Sequence, residues 1–178
     1  MGFLKAGVAV LPAFFAGIAG VTDWRSRRIP NWLTVPGVVL GIAVNTAMSG
    51  WAGTREAVLG AGLGLLLLLP FVWIRSLGAG DWKLIGALGA FLGPRHLMAV
   101  LFAALLVAGV MAFVLVVYKQ RVGQTLRNIL RMFGALFSFH MPAAEVSLDN
   151  PDALKIPFGV AVSIAVVLYT VGEFWGVT

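Results

Sequence analysis

Apolar residues in this chain come in long unbroken blocks, not at the three-to-four spacing of a half-exposed helix. The blocks fall at about 3–22, 32–50, 56–74, 84–94, 96–118 and 156–176. A helix that crosses a bilayer needs roughly 20 apolar residues, within a range of about 17–25. Five blocks approach that length. The block at 84–94 reaches it only with 76–83 added, which puts Asp81 within a helix or at its mouth; a re-entrant or partly unwound segment is the alternative. The pattern predicts an all-α, polytopic membrane protein of about six transmembrane helices. No polar segment is long enough for a core of its own, so residues 1–178 are expected to form a single membrane-embedded domain.

The longest interruption runs from 119 to 155. Within it Val122, Leu126, Ile129, Leu130, Phe133 and Phe137 recur at helical spacing, with Arg121, Arg127 and Arg131 interleaved. This predicts a basic amphipathic cytoplasmic helix that rests on the anionic inner leaflet of the lipid bilayer rather than on a partner protein. Residues 141–155 read as a polar, turn-rich connector, and Glu145, Asp149 and Asp152 as its solvated acids. The first block carries Lys5 before it and Arg25, Arg27 and Arg28 after it, with no small-x-small cleavage site. Those are the flanks of a retained span, not of a cleaved signal peptide.

Composition sharpens this reading. The chain is 60% hydrophobic and only 11% charged, with a mean hydropathy of +0.97, whereas a soluble domain carries roughly a quarter charged residues. The net charge of +6 is explained by where the cations lie. Arg25, Arg27, Arg28, Arg75, Lys83, Lys119, Arg121, Arg127, Arg131 and Lys155 fall on one side of the predicted spans, and Lys5, Arg55 and Arg95 on the other. The richer side is assigned to the cytoplasm, with both termini outside. The charge is then an orientation signal, and no nucleic-acid partner is expected.

There are no cysteines, which excludes disulfides, thiol nucleophiles and Cys-ligated zinc or iron–sulfur centres. His96 and His140 are too few for a His-rich metal site. No metal and no cofactor are expected. Of the 22 glycines, Gly37/Gly41, Gly60/Gly64 and Gly89/Gly93 are spaced four apart inside spans, where small residues let helices approach closely. Asn45 and Ser163 read as interhelical hydrogen-bonders. His96 is expected outside, beside Arg95, and Glu173 near the outer end of the last block, both away from the chemistry below.

Two acids carry that chemistry. An ionisable residue at a membrane boundary is expensive and marks a candidate site. Asp23 closes the first apolar block, at the negative end of a helix dipole, which disfavours a carboxylate by roughly 0.3–1 kcal/mol. A plain capping role is therefore unattractive; an exposed ion pair with Arg25, Arg27 or Arg28 is worth little. Asp81, in Gly78-Ala79-Gly80-Asp81-Trp82-Lys83-Leu84, has a structural reading as an N-cap. Its glycines would let a bound extended peptide approach the backbone. Lys83 reads as a snorkelling interfacial lysine in preference to a counter-charge. Both acids fall on the cytoplasmic side. Without metal, Ser or Cys, a carboxylate pair can hydrolyse a peptide bond: the ionised member takes a proton from water and the protonated member hydrogen-bonds the carbonyl. Two like charges a few ångströms apart cannot both ionise easily, so the pair keeps the proton it needs.

Asp23 with Ile29-Pro30-Asn31 after it, then Gly-Ala-Gly-Asp-Trp-Lys-Leu at 78–84, then Ile156-Pro157-Phe158-Gly159-Val160, resembles the prepilin peptidases. These type IV leader peptidases are a family of GxGD intramembrane aspartyl proteases. The motifs occur in the family's order, and the likeness covers almost the whole chain. The absence of a Cys-rich insert resembles the short forms serving tight-adherence (Flp) pili, or archaeal preflagellin peptidases. The resemblance implies that Asp23 and Asp81 are the catalytic pair, and that Gly78, Gly80 and Lys83 belong to the active-site motif. It implies that Pro157, Phe158 and Gly159 lie near the acids as active-site or substrate support. The implied substrate is a prepilin leader peptide, cut at the cytoplasmic face of the inner membrane. Long members also N-methylate the new terminus and carry a zinc-binding cysteine insert, so the resemblance leaves methyl transfer open here. Presenilin-type GxGD proteases match less well, because their first acid follows a Tyr and here Thr22 precedes Asp23.

The competing reading is a small proton- or ion-coupled transporter using the same two Asp residues. Transport sites lie near the bilayer midplane between repeated halves; here both acids hug one interface and no internal repeat is visible. A scaffold of Gly-rich helices without chemistry leaves the acids unexplained. Oligomeric state is not legible from the sequence.

Overall fold

A computed structural model of the chain describes residues 2–120, 122–137 and 156–175. It has five helices: α1 Gly2–Ser26, α2 Asn31–Trp73, α3 Ala79–Tyr118, α4 Val122–Phe137 and α5 Phe158–Phe174. No strand occurs among the described residues, in keeping with the all-α expectation.

The count of about six spanning helices takes a different form. The sequence separates 32–50 from 56–74, and 84–94 from 96–118; the structure joins each pair into one helix, of 43 and 40 residues. Each carries one glycine break. Gly50 has φ 58° and ψ −139°, and Gly93 has φ 71° and ψ 172°. Positive φ costs glycine nothing because it has no Cβ. At Gly50 the chain turns back on itself. Residues eight apart in a straight helix are about 12 Å apart along the axis, yet the Thr46 and Thr54 hydroxyls are 2.7 Å apart and hydrogen-bonded. At Gly93 the same happens: a methyl on Gly64 would lie 3.0 Å from Ile85 and 3.1 Å from Leu97, on opposite sides of the break. Pro94 follows it and has no N–H to give the carbonyl one turn back. The Asn45 side-chain amide donates there instead, to Ala90 at 2.9 Å and Phe91 at 3.0 Å. Asn45 thus joins α2 to α3, as expected of it.

The seam between α2 and α3 is built largely from small residues. Gly37, Gly41, Gly60, Gly64, Gly86 and Gly89 are buried along the α2–α3 seam with Ala57, Ala61, Ala87 and Ala90. The backbones there almost touch: a methyl on Gly60 would strike the Gly89 carbonyl, and one on Gly89 the Gly60 carbonyl. Leu84, Ile85, Leu88 and Leu97 fill the core beside this seam, while many other large apolar side chains face outward, among them Phe14, Leu66, Phe102, Leu105 and Phe113. A contiguous apolar exterior is a liability in water and natural in lipid. By length and composition α2 and α3 are apolar enough to cross a bilayer, with mean hydropathies of 1.9 and 3.0 in their most apolar stretches.

α5 completes the core by packing on α1 and α3. The Ser163 hydroxyl lies between the Ala16 carbonyl of α1 and the Gly159 carbonyl of its own helix, the latter at 2.7 Å, in room that Gly20 leaves for it. The turns back at Gly50 and Gly93 bring the C-terminus of α1, both ends of α2, both ends of α3 and the N-terminus of α5 to one end of the bundle. α4 follows α3 through Lys119 and Gln120, with Leu126, Ile129, Leu130, Arg127 and Arg131 on its surface. This is the predicted amphipathic helix. The connector at 141–155 with Glu145, Asp149, Asp152 and Lys155, and His140 before it, lie outside the described residues.

The α2–α3 seam gives a test of packing. Gly60→Ala and Gly89→Ala each force a methyl into facing backbone and are expected to lower stability by about 1–3 kcal/mol, the usual range for overpacking. Gly62→Ala meets nothing within 4 Å and is expected to be neutral or to stabilise by up to about 1 kcal/mol through helix propensity. Thermal unfolding in detergent distinguishes the two outcomes.

Candidate active site

α1 runs three residues past Asp23, to Ser26. It ends on Arg27, whose φ of 52° is unusual for a residue with a side chain; its amide closes on the Asp23 carbonyl at 2.8 Å. This left-handed turn sends the chain back under itself through Arg28, Ile29 and Pro30 into α2. Asp23 therefore sits in the last turn of α1, at the unfavourable end of that dipole, and it is 6% exposed. A buried carboxylate needs donors.

Those donors come from α5. Pro157 occupies the N-cap position of that helix and offers no side-chain hydrogen bond, so the first amides of α5 lack partners within their own helix. Asp23 supplies one. The Gly159 amide donates to Asp23 Oδ2 at 2.9 Å, and the Val160 amide also bonds this carboxylate. An acid from one helix thus caps another, in the field of that helix's positive end. Arg27 lies near enough to attract Asp23 electrostatically. Gly159 must be small: a methyl there would lie 3.0 Å from Asp23 Cβ, Asp23 Oδ2 and Ile29 Cδ1.

Asp81 lies in the first turn of α3, but not at the N-cap that sequence reasoning assigned it. Gly78 is the N-cap. Asp81 stands three residues on and reaches back to the Gly78 amide, which is half of a capping box. Gly78 leaves the carboxylate room, since a methyl there would lie 3.0 Å from Asp81 Oδ2. The space beside Gly80 is not open to a bound peptide. It is filled by Ile29, whose N, O and Cβ would lie 3.2–3.3 Å from a methyl on Gly80.

The two acids lie at the same end of the bundle, near enough for the charge of Asp23 to act on Asp81. Ile29, which sequence reasoning noted only within a motif, packs against Gly80 beside Asp81 and against Gly159 beside Asp23. Lys83 is not simply snorkelling: its Nζ donates to Asn31 Oδ1 at 2.9 Å, tying the first turns of α2 and α3. The Trp82 indole donates to the Leu65 carbonyl at 2.7 Å. Pro157 and Gly159 are buried and Phe158 is half-buried at the same place. All the sequence-nominated residues, Asp23, Gly78, Gly80, Asp81, Lys83, Pro157, Phe158 and Gly159, therefore come from the helix ends gathered here. Among the described residues no three His, Asp or Glu side chains cluster to hold a metal.

His96 and Glu173 lie elsewhere, together. His96 Nδ1 hydrogen-bonds the Tyr169 hydroxyl, which donates to Glu173 Oε1 at 2.9 Å. Tyr169 and Gly159 are ten residues apart on α5, about 15 Å along the helix. Sequence reasoning separated His96 and Glu173 from the acids but did not pair them.

An all-helical, apolar chain with two acids brought together at its helix ends describes a helical membrane protein with a carboxylate-pair site. Sequence comparison identifies the group. The sequence model of the type IV leader peptidase family matches residues 10–113, and the chain belongs to that family. The match includes both acids and stops short of α5. Among curated relatives, a prepilin leader peptidase/N-methyltransferase of Xanthomonas campestris pv. campestris is 29% identical over 127 residues, 67% of this chain and 44% of the relative. A protein of the same name from Neisseria gonorrhoeae is 34% identical over 126 residues, 67% of this chain and 43% of the relative. One from Burkholderia pseudomallei is 37% identical over 89 residues, 46% of this chain and 28% of the relative. The chain spans less than half the length of these relatives. No solved structure matches the chain.

Capping of α5 by Asp23 separates its structural from its ionic contribution. Asp23→Ala removes the acceptor and is expected to cost about 0.5–2 kcal/mol, the range for a lost cap. Asp23→Asn keeps an acceptor oxygen and is expected to cost less. Unfolding in detergent, together with faster amide exchange at Gly159 and Val160 in Asp23→Ala, checks the order.

Proposed function

We propose that the chain is an aspartic endopeptidase that cuts the leader peptide from type IV prepilins, with Asp23 and Asp81 as its catalytic pair. The observation that carries this reading is the meeting of two acids, 58 positions apart in the chain, at one end of a member of the type IV leader peptidase family. The relatives' names supply the substrate class, prepilin leaders. The absence of cysteines favours the tight-adherence (Flp) type.

The roles of the acids follow from their donors. Two amides at the positive end of α5 favour negative charge on Asp23. Asp23 is then the base that takes a proton from the attacking water. Asp81 holds the shared proton, hydrogen-bonds the scissile carbonyl, and passes that proton to the leaving nitrogen. The amides hold the Asp23 carboxylate in place before substrate arrives, so little reorganisation is needed when charge develops. The pair uses no metal or cofactor in this scheme.

We further propose a multi-pass protein of the inner membrane with the site facing the cytoplasm, folded as a single domain. Trp24, Trp32, Trp73 and Tyr118 are exposed at helix ends beside the site, and Trp51 and Trp175 are exposed at turns of the opposite end. Two such aromatic belts mark the two faces of a bilayer. Arg25, Arg27, Arg28, Arg75, Lys83 and Lys119 lie near the helix ends that carry the acids, against Arg55 and Arg95 near the turns at Gly50 and Gly93, which supports the cytoplasmic assignment. α4 would lie along that face, its Leu126, Ile129 and Leu130 in the lipid and its arginines at anionic headgroups. Acids at helix ends, away from the bilayer centre, also favour a peptidase over a transporter.

Co-expression with a prepilin tests the reading. Asp23→Asn and Asp81→Asn, at protein levels equal to wild type, are each expected to reduce processing by at least about 100-fold, the lower range for loss of acid–base catalysis. Gel-shift of the precursor reports the cleavage. Near wild-type processing by either variant would remove that acid from the mechanism.

A further inference from the structure

Ile29 packs against α3, which bears Asp81, and against α5, whose amide holds Asp23, and belongs to neither helix. It is 8% exposed and sits in the short link between α1 and α2, just after the left-handed turn at Arg27. On one side its backbone N and O and its Cβ fill the notch left by Gly80, next to Asp81. On the other side its Cδ1 reaches the notch left by Gly159, whose amide holds Asp23. Both notches are tight, at 3.0–3.3 Å for an added methyl. One residue therefore fills two glycine gaps, with its backbone and Cβ beside Asp81 and its side-chain tip beside the amide that holds Asp23.

We propose that Ile29 is a positioning residue for the carboxylate pair: a wedge that sets how far apart the first turns of α3 and α5, and with them Asp81 and Asp23, are held. This rests on the peptidase reading given above. The neighbouring polar groups do not supply the spacing. Lys83 bonds Asn31 on the far side of Gly80, Arg27 acts on Asp23 from α1, and the first turn of α5, Phe158-Gly159-Val160, brings no charged side chain. The separation of two coupled carboxylates controls how strongly each one's charge suppresses ionisation of the other. It also controls whether water and carbonyl sit in line between them.

Two shortened side chains test this in graded steps. Ile29→Val removes only the Cδ1 that reaches Gly159 and keeps every atom against Gly80. Ile29→Ala removes the rest of the wedge beyond Cβ. Displacement of reacting groups by about 1 Å can cost about 100-fold in rate. The expected order of kcat on a prepilin leader peptide is therefore wild type, then Val, then Ala, with about a 100-fold loss at Ala and KM within about two-fold. The two limbs of the kcat–pH profile are expected to move apart in Ile29→Ala, because carboxylates no longer held apart couple more strongly. A residue needed only for folding would lower the amount of active enzyme and leave both limbs where they are; that result, or wild-type kcat in Ile29→Ala, would overturn the wedge. If the wild-type protein does not cleave the leader at all, or cleaves without Asp23 and Asp81, the peptidase reading itself fails and the Ile29 series is not the cause.

Discussion

The hydrogen bond from the Gly159 amide to the Asp23 carboxylate joins two defects that each helix carries alone. α1 ends with an acid at its negative pole, and α5 begins at a proline that cannot cap it. Each answers the other: the carboxylate gains amide donors and a positive dipole end, and α5 gains an acceptor. The bond joins residues 136 positions apart, so it also fixes α5 against α1. The site then needs only α3 brought alongside, and Ile29 packs against α3 at Gly80.

That precision depends on an interior packed with glycine and alanine. In lipid there is no hydrophobic drive to press helices together, so close backbone contact must do it. The α2–α3 seam shows the consequence, with Gly60 and Gly89 facing each other across a gap that admits no methyl. Many of the larger apolar side chains are left on the exterior. Three chain reversals at the site end use non-glycine residues with positive φ, namely Arg27, Arg75 and Gln120. A left-handed turn at such a residue costs of order 1 kcal/mol, and at Arg27 and Arg75 it leaves a cation at the end where the cations of this chain collect.

Much of this was legible from residues alone. The apolar blocks located the helices to within a few residues, and the four-residue glycine spacing located the seam. The two acids stood out because so few acids lie near apolar blocks. Local pattern did not reveal what one residue does to another far along the chain. Gly93 looked like a packing glycine and is also the break in α3, because φ is not written in the sequence. Asp81 looked like an N-cap because Asp is common there; Gly78 takes that place, and Asp81 reaches back to it. Ile29 looked like any apolar residue before a proline, and its role exists only once α3 and α5 converge on it. The pairing of His96 with Glu173 through Tyr169 had no spacing signal, since the partners are on different helices.

The central claim is that Asp23 and Asp81 face each other at the same end of the bundle. The chain has no cysteine, so a double variant carrying Asp23→Cys and Asp81→Cys has only those two thiols. In native membranes a short thiol-reactive crosslinker is expected to join them intramolecularly, as it should in a control pair of Thr46→Cys with Thr54→Cys, whose hydroxyls are 2.7 Å apart. A protein that crosslinks the control pair but not 23 with 81, or whose two thiols are labelled from opposite sides of the membrane, would contradict the account.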